Sequence, residues 1–211
     1  MVSRGSPDSQ YFDPSPAAAS KKRQIELILP DVYLDLTTDS GVFSASQVDK
    51  GTRYLLKDAP ALDSLPSSPK SILDVGCGYG PIALTYAKRA PDAVVWGVDV
   101  NERAINLARD NADANSIANA HFGTDADIDP DLTFDLIVSN PPIRVGKAVL
   151  HEILSRWLTR LSPDGRAWLV VQKHLGSDSL ANWMTEQGWP TTRLSSRAGF
   201  RVLETTARSE S

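Results

Sequence analysis

Apolar runs alternate with amphipathic segments over the last two thirds of the chain. The alternation predicts strands and helices in turn, and it ends in two short strands joined by a turn. The predicted strands cover residues 72–75, 94–98, 120–122, 134–138, 167–171, 191–195 and 200–205, the predicted helices cover 81–89, 102–114, 148–161 and 179–187, and a turn is predicted at 163–165. Repeated βαβ units that end in a hairpin indicate a doubly wound α/β sheet.

The first third of the chain follows a different pattern. Residues 1–20 are rich in Ser, Pro and Ala, a composition that predicts a disordered tail. Residues 21–69 predict an extension that precedes the α/β core, which occupies residues 70–211. The extension contains a predicted β-hairpin and a predicted helix, over residues 25–29, 32–36 and 47–56.

The composition is that of a globular protein. Of the 211 residues, 41% are hydrophobic and 23% are charged, which favours a packed core. The single cysteine excludes an intramolecular disulfide, and no apolar run reaches the ~20 residues that span a bilayer. The first residues lack the apolar stretch of a signal peptide, so we expect a cytoplasmic protein. The three histidines lack metal-ligand spacing, and no metal is expected.

Charge is distributed unevenly along the chain. Residues 1–140 carry 12 lysines and arginines against 20 acidic residues, a net charge of −8, whereas residues 141–211 carry 10 against 6, a net charge of +4. The basic surplus has two interpretations: solvated helix and hairpin faces, or a rim that contacts phosphates. The second interpretation suggests a nucleic-acid substrate.

A glycine-rich loop follows the first predicted core strand. Gly76, Gly78 and Gly80 allow a tight turn and a close approach of the backbone to a ligand. The dinucleotide fingerprint fails because Pro81 stands where that motif needs its third glycine. Asp74 at the strand end would repel a pyrophosphate but attract an ammonium group, such as that of a methionine moiety.

Acidic residues also follow the next two strands. Asp99, 19 residues after Gly80, is placed to accept hydrogen bonds from the ribose hydroxyls of an adenosine. Asp125, after the third strand, is placed to meet the adenine amino group. Each aspartate alone is more often a loop or cap residue, but acidic residues at three successive strand ends favour a nucleoside site.

The strand over 134–138 runs into the sequence Asn140-Pro141-Pro142-Ile143. The prolines have no N–H, so this loop is expected to offer carbonyl oxygens without donors. The Asn140 side-chain oxygen and the Pro141 carbonyl would then hold both hydrogens of an amino group. A second interpretation is that the prolines simply end the strand. With the glycine loop upstream, the pattern favours methyl transfer from S-adenosylmethionine to nitrogen.

These motifs resemble class I S-adenosylmethionine-dependent methyltransferases of the methyltransferase small group, and within it the small-subunit ribosomal RNA guanine-N2 methyltransferases of C type and their single-domain relatives. The resemblance covers roughly residues 24–206, including the 41–44 and 49–52 segments that help to wall the cofactor site in that group. It implies a seven-stranded, mostly parallel Rossmann-like sheet with a C-terminal antiparallel hairpin, S-adenosylmethionine as cofactor and RNA of the small ribosomal subunit as partner.

The resemblance also implies residue roles. The cofactor-binding set is Asp74, Gly76, Cys77, Gly78, Gly80, Asp99, Val100, Asp125, Ala126 and Asn140. The catalytic set is Asn140, Pro141, Pro142 and Ile143, and the substrate-binding set is Phe43, Arg144, Lys147, Arg197 and Arg201.

Ile143 departs from the group's pattern, because many amino-methylating relatives carry an aromatic residue there that stacks on the flipped base. Two alternatives therefore stay open. One is a protein glutamine N5-methyltransferase, although those relatives usually carry Tyr at this position. The other is a non-catalytic subunit that binds cofactor or RNA. The sequence also leaves open whether the protein is a monomer or a homodimer.

Overall fold

The computed structural model describes residues 19–208, so the predicted tail lies outside the described residues except for its last two positions. Within this range the elements are β1 (Arg23–Ile28), β2 (Tyr33–Thr38), α1 (Lys50–Asp58), β3 (Ser71–Val75), α2 (Pro81–Arg89), β4 (Val94–Val98), α3 (Glu102–Ala114), β5 (Ala120–Gly123), β6 (Phe134–Ser139), α4 (Lys147–Leu158), β7 (Leu161–Gln172), α5 (Ser177–Glu186), β8 (Thr191–Arg197) and β9 (Phe200–Thr206). None of these helices is long and apolar enough to cross a membrane.

The core is a seven-stranded sheet with the order β5-β4-β3-β6-β7-β9-β8. Strands β3 to β7 are parallel, and β9 runs antiparallel between β7 and β8. The doubly wound fold, its seven strands and the C-terminal hairpin are confirmed. The strand order reverses between β3 and β6, and ligands bind at such a switch point beyond the carboxyl ends of the strands.

The central strands are apolar on both faces because helices cover the sheet on both sides. Ile72 and Leu73 in β3 are both fully buried and point into different hydrophobic clusters. Leu136 and Ile137 in β6 divide between the clusters in the same way. This burial explains the continuous apolar runs of the sequence and fixes the positions of the strand ends.

The N-terminal hairpin of β1 and β2 forms a sheet of its own and is attached to α3 by two asparagine side chains. Asn111 accepts from the Thr37 N–H at 2.7 Å and donates to the Thr37 carbonyl at 2.9 Å. Asn115 makes the same pair of bonds with Asp35, at 3.1 and 2.7 Å. The chain after β2 is therefore held beside the carboxyl end of β4, where Asn101 donates to the Gly41 carbonyl at 3.0 Å.

Several predicted elements differ from the structure. The helix expected over 148–161 ends at Leu158, and Leu161 already begins β7. The helix expected over 47–56 begins at Lys50, because Asp49 caps it by accepting from the N–H groups of Gly51 and Thr52. The turn expected at 163–165 is wrong, since these residues form an irregular part of β7. Phe134 pairs with Leu161 and Leu136 pairs with Arg166, so residues 162–165 bulge opposite a single residue of β6.

Candidate active site

A cavity of about 580 Å³ lies at the carboxyl ends of the central strands. Its walls come from the glycine loop, the ends of β4 and β6, helix α4 and the 42–52 segment of the extension. The predicted site residues that line it are Phe43, Gly76, Cys77, Gly78, Asp99, Val100, Asp125, Asn140, Pro141, Pro142, Ile143 and Arg144. Those absent from the walls are Asp74, Gly80, Ala126, Lys147, Arg197 and Arg201.

The glycine loop requires left-handed backbone at three positions. Gly76 and Gly78 have φ of 74° and 55°, and a Cβ at either position would meet nothing within 4 Å. Gly80 has φ of 93° and caps α2, and a Cβ there would lie 3.2 Å from Leu84 and 3.3 Å from Ala108. The first two glycines therefore leave open space for a ligand, whereas Gly80 turns the chain into the helix.

Asp74 lies beneath this loop and is fully buried. Its Oδ2 accepts from the Ala83 N–H in the first turn of α2 at 3.0 Å, and its Oδ1 has no partner among the described residues. Burial raises the pKa of Asp74 to about 8. The contact with a ligand ammonium therefore stays a prediction: the side chain is fully buried, and the oxygen that has a partner serves one N–H group of a helix N-terminus.

Asp99 stands at the end of β4 and contacts the glycine loop. Its Oδ2 accepts from the Gly78 N–H at 2.9 Å, and its Oδ1 accepts from the Asn101 N–H at 2.9 Å. Burial raises the pKa of this carboxyl above its usual value. Each oxygen keeps a lone pair for a ligand hydroxyl, and the exposed apolar side chain of Val100 adjoins it on the cavity wall.

Helix α4 forms the wall of the cavity next to the turn after β5. Arg156 of this helix forms an ion pair with Asp125, and its second guanidinium nitrogen lies 3.9 Å from Glu152. Arg156 therefore competes with the predicted adenine contact of Asp125, and no sequence pattern indicates this ion pair. Ala126, in the short 3-10 turn after β5, does not reach the cavity. The apolar positions of α4 predicted a helix that packs on the core, and they did not indicate that Glu152 and Arg156 line the cavity.

The carboxamide of Asn140 is held in one orientation. Its Nδ2 donates to Asp49 Oδ2 at 2.9 Å and to Thr52 Oγ1 at 3.1 Å. Its Oδ1 accepts no hydrogen bond from any residue between 19 and 208 and belongs to a side chain that lines the cavity. Asp49 and Thr52 were implied only as part of a wall segment, and no local pattern indicates that they contact Asn140.

The expectation that both proline carbonyls are free is wrong. The Pro141 carbonyl accepts from the Ile143 N–H at 2.8 Å, and the Pro142 carbonyl accepts from the Val145 N–H at 3.1 Å. The prolines lack donors of their own, but the chain turns so tightly that the N–H groups after them fold back. A carbonyl oxygen has two lone pairs, so the Pro141 oxygen can still accept one further hydrogen bond.

The predicted substrate-binding residues separate into two groups. Phe43 and Arg144 are exposed at the cavity, and Lys147 and Arg197 are exposed outside its walls. Arg201 is 6% exposed and donates to Ser177 Oγ at 3.1 Å and to Asp178. The expected role of Arg201 in substrate binding is wrong because β9 is an inner strand and turns this side chain toward the start of α5.

The residues present fit the predicted cofactor. Gly76 and Gly78 leave space along the loop, Asp99 offers acceptors for hydroxyl groups, and Val100 offers an apolar surface for a planar ring. The volume lies within the ~300–1,000 Å³ of small-molecule sites. No three His, Cys, Asp or Glu side chains of residues 19–208 come together as metal ligands.

The chain is similar to proteins of known sequence and structure. The uncharacterized protein YbxB of Bacillus subtilis is 35% identical over 197 residues, which cover 92% of this chain and 96% of that protein. Ribosomal RNA small subunit methyltransferase C of Hahella chejuensis is 33% identical over 175 residues, covering 80% of this chain and 48% of that protein. The chain thus spans about half the length of that methyltransferase.

Among solved structures, the 16S rRNA N2 G1207 methyltransferase (RsmC) of T. thermophilus, in complex with AdoMet and guanosine, superposes with a TM-score of 0.77 at 25% identity. The match covers 92% of this chain and 52% of that one. The model of the methyltransferase small domain matches residues 33–204, which is most of the chain. The protein therefore belongs to the methyltransferase small domain family of S-adenosylmethionine-dependent enzymes.

Proposed function

We propose that this protein methylates an exocyclic amino group, and that the group is the guanine N2 of small-subunit ribosomal RNA. The observation that carries the proposal is the orientation of Asn140. Both of its N–H bonds are committed to Asp49 and Thr52, at 2.9 and 3.1 Å, so its oxygen is the atom left for a substrate hydrogen. An acceptor at the carboxyl end of β6, beside the glycine loop, suits an amino group.

The chemistry follows from the weakness of the nucleophile. The lone pair of an aromatic amino group is delocalised into the ring. Asn140 Oδ1 and the remaining lone pair of the Pro141 carbonyl would accept the two N–H hydrogens. These two bonds orient the nitrogen so that its lone pair points away from the ring plane. S-adenosylmethionine, when bound, supplies a methyl group on a positively charged sulfur. As the N–C bond forms, the bond between the methyl carbon and sulfur breaks and S-adenosylhomocysteine is the leaving group. The proton on nitrogen then becomes acidic and passes to solvent, so these residues need not act as a base beforehand.

The surface around the cavity supports an RNA substrate. Lys147 and Arg197 are exposed cations after β6 and near the turn between β8 and β9, where phosphates of an RNA can reach them. Phe43, 48% exposed on the cavity wall, offers an aromatic face for a base, and Ile143 offers an aliphatic one. The guanosine in the T. thermophilus complex agrees with this assignment. A cytoplasmic location, where ribosomes assemble, is part of the proposal.

The second candidate is methylation of a protein glutamine. Its side-chain amide presents the same two N–H hydrogens to Asn140 and Pro141, so the acceptor geometry fits it equally. The exposed cations Lys147 and Arg197 favour RNA, because a glutamine in a protein brings no phosphate. A third candidate is a subunit that binds cofactor and RNA without transfer.

The test measures the transfer of tritiated methyl groups from S-adenosylmethionine to three substrates. These are small ribosomal subunits from cells that lack the gene, free rRNA, and the extracted ribosomal proteins. We expect label in the small-subunit RNA, recovered as N2-methylguanosine after digestion. We also expect rRNA from cells with the gene to be heavier by one methyl group, at one nucleotide, than rRNA from cells without it. Label in the protein fraction would favour the glutamine candidate. Cofactor binding without label in any fraction would favour the non-catalytic one.

A further inference from the structure

The 49–52 segment meets the acceptor loop through one carboxylate oxygen. Asp49 Oδ2 accepts three hydrogen bonds: from Gly51 N at 2.7 Å, from Thr52 N at 3.1 Å and from Asn140 Nδ2 at 2.9 Å. The first two cap α1, and the third reaches a residue 91 positions away. A single atom therefore links the start of a helix in the extension to the proposed acceptor side chain.

The packing around Asp49 keeps this atom in place. A Cβ at Gly51 would lie 2.9 Å from Asp49 Oδ2 and 3.0 Å from Phe200, so only glycine leaves room for the carboxylate to lie over the helix start. Thr52 is 4% exposed and holds its hydroxyl toward the same amide. The two acceptors of the Asn140 amide thus belong to the N-cap and the first turn of α1.

The arrangement also selects which end of the amide faces the cavity. A carboxylate oxygen can only accept, so Asn140 must turn its Nδ2 toward Asp49. The reverse orientation would place the amide oxygen against a carboxylate oxygen and leave the amide N–H groups in the cavity. In that state the site would present donors to a substrate amino group, which itself brings donors.

We propose that Asp49 is a positioning residue for Asn140: by accepting from its Nδ2, together with Thr52, it directs Oδ1 toward the substrate amino group. The inference deepens the proposed function and rests on it for the identity of the bound group. It assigns the extension before the core a role in the reaction in addition to its place in the wall. Asp49 itself touches neither the transferred methyl group nor the nitrogen in this proposal.

Substitution of Asp49 by Ser separates capping from positioning. Serine is a good N-cap, so Asp49→Ser keeps α1, but its shorter side chain does not reach Asn140. We expect kcat to fall by about 10- to 100-fold, the cost of a misplaced reacting group, with KM and the dissociation constant of S-adenosylhomocysteine within about threefold. Asp49→Asn can still accept with its amide oxygen and is expected to recover most of the turnover.

Thr52→Val is a second variant that removes one acceptor at nearly constant volume, and we expect a smaller fall in kcat. Asp63→Ser, at an exposed position outside the cavity walls, is the matched control. In the background of Asn140→Ala, Asp49→Ser is expected to cost nothing further, because both residues act through the same oxygen. Additive losses in this cycle, or full activity of Asp49→Ser with a folded α1, would overturn the proposal.

A readout that needs no substrate separates this proposal from the proposed function. In the folded wild type, the two side-chain N–H signals of Asn140 in a ¹⁵N NMR spectrum are expected to exchange slowly with solvent. In Asp49→Ser, at least tenfold faster exchange is expected, with backbone signals outside the site unchanged. Unchanged exchange would refute the positioning role even if RNA is methylated. Wild-type protein with protected signals but no methyl transfer would refute the proposed function alone.

Discussion

The backbone N–H of Gly78 donates to Asp99 Oδ2 at 2.9 Å, which joins the glycine loop after β3 to the end of β4. The same carboxylate uses its other oxygen to accept from the Asn101 N–H, so it organises two loops before any ligand arrives. Each oxygen retains a lone pair toward the cavity. A residue expected only to bind a cofactor thus also shapes the loop beside it.

Substitutions of Asp99 are expected to separate these two roles. In Asp99→Asn the amide oxygen can keep the bond from Gly78, but the amide nitrogen can accept neither the Asn101 N–H nor a hydroxyl hydrogen. We expect S-adenosylhomocysteine to bind about tenfold more weakly, a loss of about 1.4 kcal/mol, and the free energy of unfolding to fall by about 1 kcal/mol. In Asp99→Ala both bonds are lost, and the affinity should fall further. Isothermal titration measures both, and an unaltered dissociation constant in both variants would contradict the ribose assignment.

Asn140→Ala is expected to lower turnover by about 10²- to 10³-fold, as for removal of one preorganised polar contact. In the proposed function the amide oxygen holds the substrate amino group, so the affinity for S-adenosylhomocysteine should change less than threefold; a larger loss would support the cofactor-binding role that the resemblance implies for Asn140. Tritium transfer to ribosomal subunits gives the turnover, and titration gives the affinity. Turnover equal to that of the wild type would show that the amide oxygen does not hold the acceptor.

Arg201 and Arg197 are expected to give opposite results. Arg201→Ala removes buried charged hydrogen bonds to Ser177 and Asp178, so we expect the free energy of unfolding to fall by about 1–3 kcal/mol with unchanged RNA affinity. Arg197→Ala, at an exposed position, should leave stability within about 0.5 kcal/mol and weaken RNA binding.

Urea unfolding and filter binding at several salt concentrations measure the two properties of these variants. The slope of log affinity against log salt should decrease by about one for Arg197→Ala only. A loss of RNA affinity in folded Arg201→Ala protein would contradict the structural role of that residue.

Burial of Asp74 predicts an unusual dependence of stability on pH. Its pKa is raised to about 8 in the folded chain, against about 4 when unfolded, so between these values the folded state binds a proton that the unfolded state lacks. The stability that this group contributes is present below pH ~4 and is lost as the pH rises through 8. Asp74→Asn keeps an acceptor for the Ala83 N–H and does not titrate.

We therefore expect the free energy of unfolding of the wild type, relative to Asp74→Asn, to fall from pH 5 to pH 8, by at most about 1.4 kcal/mol per pH unit. The nearby charge of Asp99, whose pKa is also raised by burial, contributes to the shift of Asp74, so the difference between the two proteins contains both the titration of Asp74 and its coupling to Asp99. Urea denaturation at each pH measures the difference. A difference that is independent of pH would indicate that Asp74 is ionised throughout.

The elements of the core were predictable because their signals are local. The bounds of α2, β4 and α3 agree with the sequence prediction, since Pro81 starts one helix, Asn101 caps the next, and a short apolar run lies between them. The bulge in β7 was not predictable. The residues at 163–165 have the composition of a turn, and only their pairing opposite β6 makes them part of a strand.

The sequence by itself determined the α/β fold, the glycine loop and the loop that follows β6, because strand periodicity, left-handed glycines and prolines without N–H groups act within a few residues. Only the tertiary structure decided which partners the polar side chains near these loops contact. Asp74 turned to a helix, Arg201 turned inward, and Asn140 became oriented by Asp49, which lies 91 positions away along the chain. A hydrogen bond depends on distance in space, and a linear pattern does not contain that distance.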